Sequence, residues 1–131
     1  MKCWLFIASK DHLTHAMEHN FIQQKTNKFD KMKKGDKFIL YASKLSYNNK
    51  KKYGKFIGYG KVLDEKSTPY KTFFRRHVKY YGIRQEVPIT DLLDDLIFIK
   101  YPTMYGMYLI QGFRSLPEDD YLTIKEAMKT Q

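Results

Sequence analysis

His15-Ala16-Met17-Glu18-His19 sets two imidazoles one helical turn apart with a carboxylate between them. This H-x-x-E-H spacing lets a helix present two zinc ligands and a general base, so a zinc-dependent hydrolase using His15 and His19 is one reading of the chain. A catalytic zinc needs a third protein ligand, and none stands in a recognisable position, so the sequence calls for no metal and no cofactor. Nucleophilic chemistry has less support. The single cysteine, Cys3, opens an apolar run, no G-x-S-x-G elbow occurs, and no serine has a histidine and a carboxylate in a recognisable order. Gly58-Tyr59-Gly60 lacks the third glycine and following helix of a dinucleotide site. Asp91, Asp94 and Asp95 are accounted for by the positive end of a short helix.

What remains is aromatic rings among cations. Eleven Tyr, nine Phe and one Trp accompany 24 Lys+Arg against 14 Asp+Glu, a net charge of +10. A surplus of that size concentrates polyanions, which makes nucleic acid the first partner class and an anionic membrane surface the second. Aromatic faces stack on bases while Lys and Arg hold phosphates. Most of the rings belong to a core, and those at strand ends, Tyr41 and Tyr105 foremost, are the candidates for ligand contact.

The elements that position these groups follow from periodicity. Lys31 to Lys34 is a basic approach to a Gly35-Asp36 turn, after which Phe38 to Ala42 reads as a buried central strand ending on Tyr41 and Ser43. Cys3 to Ala8 is an unbroken apolar strand, with Cys3 as a small core hydrophobe. Leu13, Ala16 and Met17 form one face of a short helix over 11–19, capped by Ser9 or Asp11 and stopped by a left-handed Asn20. Phe29 and Met32 anchor a polar loop over 25–34, and Asn48-Asn49-Lys50-Lys51-Lys52 is a charged excursion between strands. A strand over 55–63 carries Gly58 and Gly60 as marks of a bulge or close approach. Further strands are expected over 73–81, 97–99 and 105–110. One or two helical turns over 88–95 start at Thr90, and a helix over 116–128 opens with a Ser115–Glu118 capping box and faces inward through Tyr121, Ile124, Ala127 and Met128. The length of 131 residues fits one domain. No leader or apolar span of membrane length is present, and one cysteine fits a cytoplasmic setting.

Trp4-Leu5-Phe6-Ile7-Ala8-Ser9-Lys10-Asp11-His12, Asn20-Phe21-Ile22-Gln23, Met32-Lys33-Lys34-Gly35-Asp36 and Tyr41-Ala42-Ser43 occur in that order. Phe74-Arg75-Arg76, Pro88-Ile89, Leu92-Leu93, Leu96, Phe98-Ile99-Lys100, Tyr105-Gly106 and Gly112-Phe113 follow. Together they resemble the EVE domain family over nearly the whole chain. The resemblance implies an α+β, PUA-like fold, a mixed and strongly bent β-barrel surrounded by short helices, related to YTH and ASCH domains. It also implies a non-enzymatic module that recognises a modified base, foremost a modified cytosine such as 5-methylcytosine in DNA, flipped into an aromatic pocket. An RNA- or free-nucleotide-binding module is the alternative within the same class.

Matched motif by motif, the resemblance puts Ser9, Phe21, Ile22, Gln23, Tyr41, Ser43 and Tyr105 at the base. Phe21 and Tyr105 would stack, and Ser9, Gln23 and Ser43 would bond the base edge. Lys10, Lys33, Arg75 and Arg76 would hold the backbone, with Trp4 as core support and the protein a monomer. The chain departs from the family pattern in three places. His19-Asn20 stands where many members carry a glycine pair, 25–28 replaces a His-Gly-Lys tract, and Tyr105 replaces a tryptophan.

Overall fold

The structure, a computed structural model, describes residues 2–49, 51–110 and 112–129. Lys50 of the charged excursion lies outside them. In chain order the elements are β1 (Cys3–Ala8), α1 (Lys10–Glu18), β2 (Phe21–Gln24), a 3-10 turn at Lys28–Lys31, β3 (Lys37–Lys44) and β4 (Lys52–Val62). They continue with β5 (Thr68–Tyr70), β6 (Phe73–Tyr81), β7 (Val87–Pro88), 3-10 turns at Ile89–Asp91, Leu93–Asp95 and Pro102–Leu109, β8 (Phe113–Leu116) and α2 (Glu118–Lys129).

The strands form one curled mixed sheet in the order β2-β6-β4-β3-β1-β8, with β5 added to β6 and β7 to β4. β1 and β3 run parallel from Cys3 opposite Lys37 to Ala8 opposite Ala42, so their C-terminal ends open at the same edge. All other strand pairs among the described residues are antiparallel. The curvature comes from β4. Its pairing with β3 slips between Leu40 opposite Gly58 and Tyr41 opposite Phe56, leaving Ile57 as an extra residue. On its other side β4 meets β6 at Tyr59 to Val62 and β7 at Lys55 and Phe56. At Gly60 a Cβ would stand 2.1 Å from the Lys79 carbonyl oxygen, so only glycine lets β4 and β6 come this close.

Strand alternation divides the core between the two faces. On one face Trp4, Phe6, Phe38, Leu40 and Ala42 pack with Leu13 of α1 and with Phe29 and Met32. On the other, Cys3, Leu5, Ile39 and Tyr41 pack with Ile89, Leu96, Phe98 and the Tyr121, Ile124 and Met128 stripe of α2. Burial on both faces explains why β1 and β3 are nearly continuous apolar runs.

Two buried aspartates pin the loops. Asp36 accepts from the Trp4 indole nitrogen at 3.0 Å and from the amides of Lys33 at 2.9 Å and Lys2 at 3.2 Å. Burial alone would raise its pKa, but these donors outweigh it and hold the carboxyl below the ordinary aspartate value. Gly35 beside it adopts φ 93°, as the Gly-Asp turn requires. Asp120 is fully buried and accepts from the amides of Ile97 at 2.7 Å and Phe98 at 2.9 Å.

That last pair corrects the expected strand over 97–99: the side-chain carboxylate of Asp120 takes the amides that a ladder would have used, and the segment is a turn. The strand expected over 105–110 is also absent. Pro102 sits at the first helical position, where its fixed φ and missing N–H fit, and Pro102–Leu109 is 3-10. Ser115 lies in β8 opposite Trp4 and so does not cap α2, whose first-turn Tyr121 amide bonds the Pro117 carbonyl instead. Pro88, not Thr90, holds the cap position of the Ile89–Asp91 turn. The expected left-handed Asn20 is found, at φ 56°.

Candidate nucleic-acid interface

The motif-matched residues do not converge on one pocket. Ser9 and Ser43 sit where the parallel ends of β1 and β3 open. A cavity of about 500 Å³ there is lined by Ala8, Ser9, Asp11, His12, Lys44 and Tyr47. The Ser9 hydroxyl donates to the Asp11 carboxylate at 2.5 Å, and this bond is the main cause holding the Asp11 pKa below the usual value. The Ser43 hydroxyl donates to the Ala8 carbonyl at 3.4 Å. Each serine proton assigned to the base is therefore committed locally, and an aspartate stands at this mouth.

Tyr41 and Ile22 are corrected outright, since both are core residues. In a strand buried on both faces, alternation turns Tyr41 under α2's side of the sheet against Phe56, with ring centroids 5.2 Å apart, and burial raises its phenol pKa. Arg76 is corrected for a different reason. It is fully buried and makes four hydrogen bonds: Nε to the Asp64 carboxylate at 2.6 Å, and the terminal nitrogens to the carbonyls of Phe29 at 2.7 Å, Met32 at 2.9 Å and Asp64 at 2.9 Å. It ties three segments together and offers nothing to a phosphate.

Lys10 lies over the Tyr53 ring at 4.6 Å and 3.9 Å from the Glu86 carboxylate. The Tyr53 hydroxyl, with Glu86 behind it, raises the ammonium pKa. Tyr105 accepts a hydrogen bond from Lys52 of β4 and packs on the α2 side of the core.

Phe21, Gln23 and Arg75 do meet, at a corner of α1, β2 and β6. The guanidinium of Arg75 lies 3.9 Å from the Phe21 ring centre and 3.6 Å from that of Tyr70, and its Nε donates to Gln23 Oε1 at 2.9 Å. The adjoining cleft, about 370 Å³, is lined by His15, His19, Phe21, Tyr70, Arg75 and His77. Phe21 itself is almost fully covered by these neighbours.

A larger concavity lies apart from that corner. About 1090 Å³ of groove runs between β8, the end of β2 and the Pro102–Leu109 turn. Its cations are Lys2, Lys28, Lys31 and Arg114, and among the described residues no carboxylate lines it. Its rings are Trp4, Tyr108 and Phe113, with Trp4 and Phe113 stacked at 4.9 Å and 17°. Lys33 is exposed on the turn whose amide shares Asp36 with that of Lys2. Arg114 donates to the Tyr108 carbonyl at 3.1 Å and so ties β8 to the wall opposite; burial lowers its pKa, with Asp120 opposing.

Sequence reasoning missed this groove by one position at β2. Gln23 faces Arg75, while Gln24, its neighbour on the other face of the strand, lines the groove and brings its amide close to Gly112. Lys28 and Lys31 sit in the 25–34 loop. The signal was their i, i+3 spacing around the buried anchors Phe29 and Met32, which turns both lysines outward.

A curled mixed sheet with a helix and a turn-rich segment closing its two faces is the α+β, PUA-like architecture expected. The EVE domain profile matches residues 2–126, and the chain belongs to the EVE domain family, a PUA-like fold that points to a nucleic-acid-binding module. It is similar to a UPF0310 protein of Streptococcus gordonii, 29% identical over 136 residues that cover 96% of this chain and 92% of that one. A UPF0310 protein of Mycolicibacterium vanbaalenii is 29% identical over 140 residues, 99% and 94% of the two chains. Among solved structures, a Rhodopseudomonas palustris protein determined by NMR superimposes with a TM-score of 0.65 over 98% of this chain and 93% of that one. A Pseudomonas putida crystal structure gives 0.65 over 98% and 99%. Both are 11% identical, so this likeness is one of fold.

Proposed function

We propose that this EVE domain acts as a monomeric, non-enzymatic reader that draws a modified base out of the nucleic-acid stack into the groove beside β8. A modified cytosine in DNA is the first ligand to try and modified RNA the second. One observation carries the reading: four cations and, among the described residues, no carboxylate line a groove that also presents Tyr108 and Phe113, with the buried Trp4 stacked behind Phe113. Phosphates would meet Lys2, Lys28 and Lys31, and a base taken out of the duplex would find ring faces to stack on. The Gln24 amide carries both an acceptor and donors, as the edge of a cytosine-like base demands.

The test is fluorescence anisotropy with labelled oligonucleotides that differ only in one base, unmodified or modified, titrated at several salt concentrations. Tighter binding of a modified strand, weakened by Gln24→Ala and Tyr108→Ala, is the expected result. Equal affinity for every strand removes the reader. Loss on Ser43→Ala or Tyr105→Ala, with Gln24→Ala silent, moves the pocket to the motif-matched residues.

A further inference from the structure

The C-terminal end of α1 takes no part in that groove. We propose that His15, Glu18 and His19 form a binding site for a divalent transition-metal ion of the Ni²⁺, Cu²⁺ or Zn²⁺ class. Their ligand atoms all lie within 4.8 Å of one another. One ion with nitrogen and oxygen ligands at about 2.0–2.2 Å can draw such atoms together by side-chain rotation alone. The three residues are exposed, so small side-chain rotations can close these distances without opening the core.

Three further features prepare the site. The Nδ1 of His19 lies 2.9 Å from the His15 carbonyl oxygen. A carbonyl can only accept, so Nδ1 carries the proton and the lone pair is left on Nε2, the arrangement in which a hydrogen bond on one ring nitrogen orients the other toward a metal. The Phe21 ring lies against both imidazoles, with centroids 5.7 Å from His15 and 6.0 Å from His19, and limits their rotation. His19 is also the C-cap of α1, the end at which unsatisfied carbonyls favour a cation.

Two imidazoles and one carboxylate suit the nitrogen-binding end of the first-row series and not Mg²⁺ or Ca²⁺, which take oxygen sets. Arg75 and His77 border the same cleft, and the Arg75 guanidinium opposes a cation. Both are engaged elsewhere: the Arg75 guanidinium between Phe21, Tyr70 and Gln23, and the His77 ring with the Asp64 carboxylate at 3.2 Å. The Glu18 carboxylate and the helix end act in the other direction. All three ligands come from one exposed helix end, so this is a binding site without the enclosed substrate cavity a hydrolase needs.

Untagged protein is titrated with nickel and copper salts by calorimetry near neutral pH, and the copper complex is examined by electron paramagnetic resonance. The expected result is one equivalent of ion with two imidazole nitrogens coupled to copper. His15→Ala and His19→Ala should each weaken binding about tenfold or more, and Glu18→Gln less. His12→Ala, on the same helix but outside the cluster, should bind as the parent does. No stoichiometric binding, or His15→Ala and His19→Ala titrating like the parent, overturns the site. The nitrogen count of the parent complex decides the matter even if a variant fails to fold.

Discussion

The two concave regions at either end of β2 use the same residue types to opposite ends. In the α1–β2–β6 corner the arginine is already satisfied, with Arg75 stacked on two rings and bonded to Gln23. In the β8 groove, Lys2, Lys28 and Lys31 line the walls, and the described lining residues include no carboxylate. A cation whose electrostatic needs are met within the protein gains little from a phosphate, whereas one facing water across an empty groove exchanges counterions for phosphate oxygens. The adjacent pair Arg75 and Arg76 makes the contrast sharper. Alternation along β6 puts one guanidinium in a cleft and the other at zero exposure, bonded to two other segments.

The largest effect tests the buried member of that pair. Arg76→Ala removes the guanidinium donors from the Asp64 carboxylate and from the carbonyls of Phe29 and Met32, and is expected to cost about 3–5 kcal/mol in denaturant unfolding. If stability is unchanged, Arg76 is not the tie described, and a role at the surface reopens.

Asp36→Asn comes next. It replaces an acceptor of three donors by a neutral amide, with an expected loss of about 2–3 kcal/mol at neutral pH. The Asp36 pKa is lower in the folded state than its ordinary value of 3.8, so its contribution is present above that value and lost as pH falls through the folded pKa. Parent and Asp36→Asn stabilities should therefore converge in acid below about pH 4. A gap that stays constant across that range would show that the carboxylate is not the source.

Charge reversal in the groove follows. Lys28→Glu with Lys31→Glu should weaken oligonucleotide binding at least about tenfold and flatten the salt dependence by about two phosphate contacts, without altering unfolding. The smallest effect belongs to the corner: Arg75→Gln should change oligonucleotide affinity less than about twofold, since its charge is engaged by neighbours. A larger loss there than in the groove would invert the comparison and relocate the interface.

The outcome for particular residues marks where sequence reasoning reaches. Cys3–Ala8 and Phe73–Tyr81 were expected as strands with those bounds, because short apolar or alternating runs carry their own period. Gly60 was readable as a close approach, and Asn20 as a left-handed stop. The 97–99 segment was not, since its amides go to Asp120, which lies more than twenty residues away in α2. The site was the least legible part. Gln23 and Gln24 are the same residue type side by side, and only the pairing of β2 with β6 fixes which one faces the groove.

By itself the sequence determined the α+β class, the two-sided burial of β1 and β3, the family, and a basic, aromatic surface suited to a polyanion. These follow from local periodicity, composition and the order of short motifs, none of which depends on what lies across the sheet. Only the tertiary structure decided which cations are free and which are structural, and which side of β2 borders the groove. It also decided that Tyr41 is core and that His15, Glu18 and His19 converge beside Phe21. Those outcomes depend on partners distant in the chain, and a guanidinium or an amide reads the same in sequence whether a carboxylate waits opposite it or not.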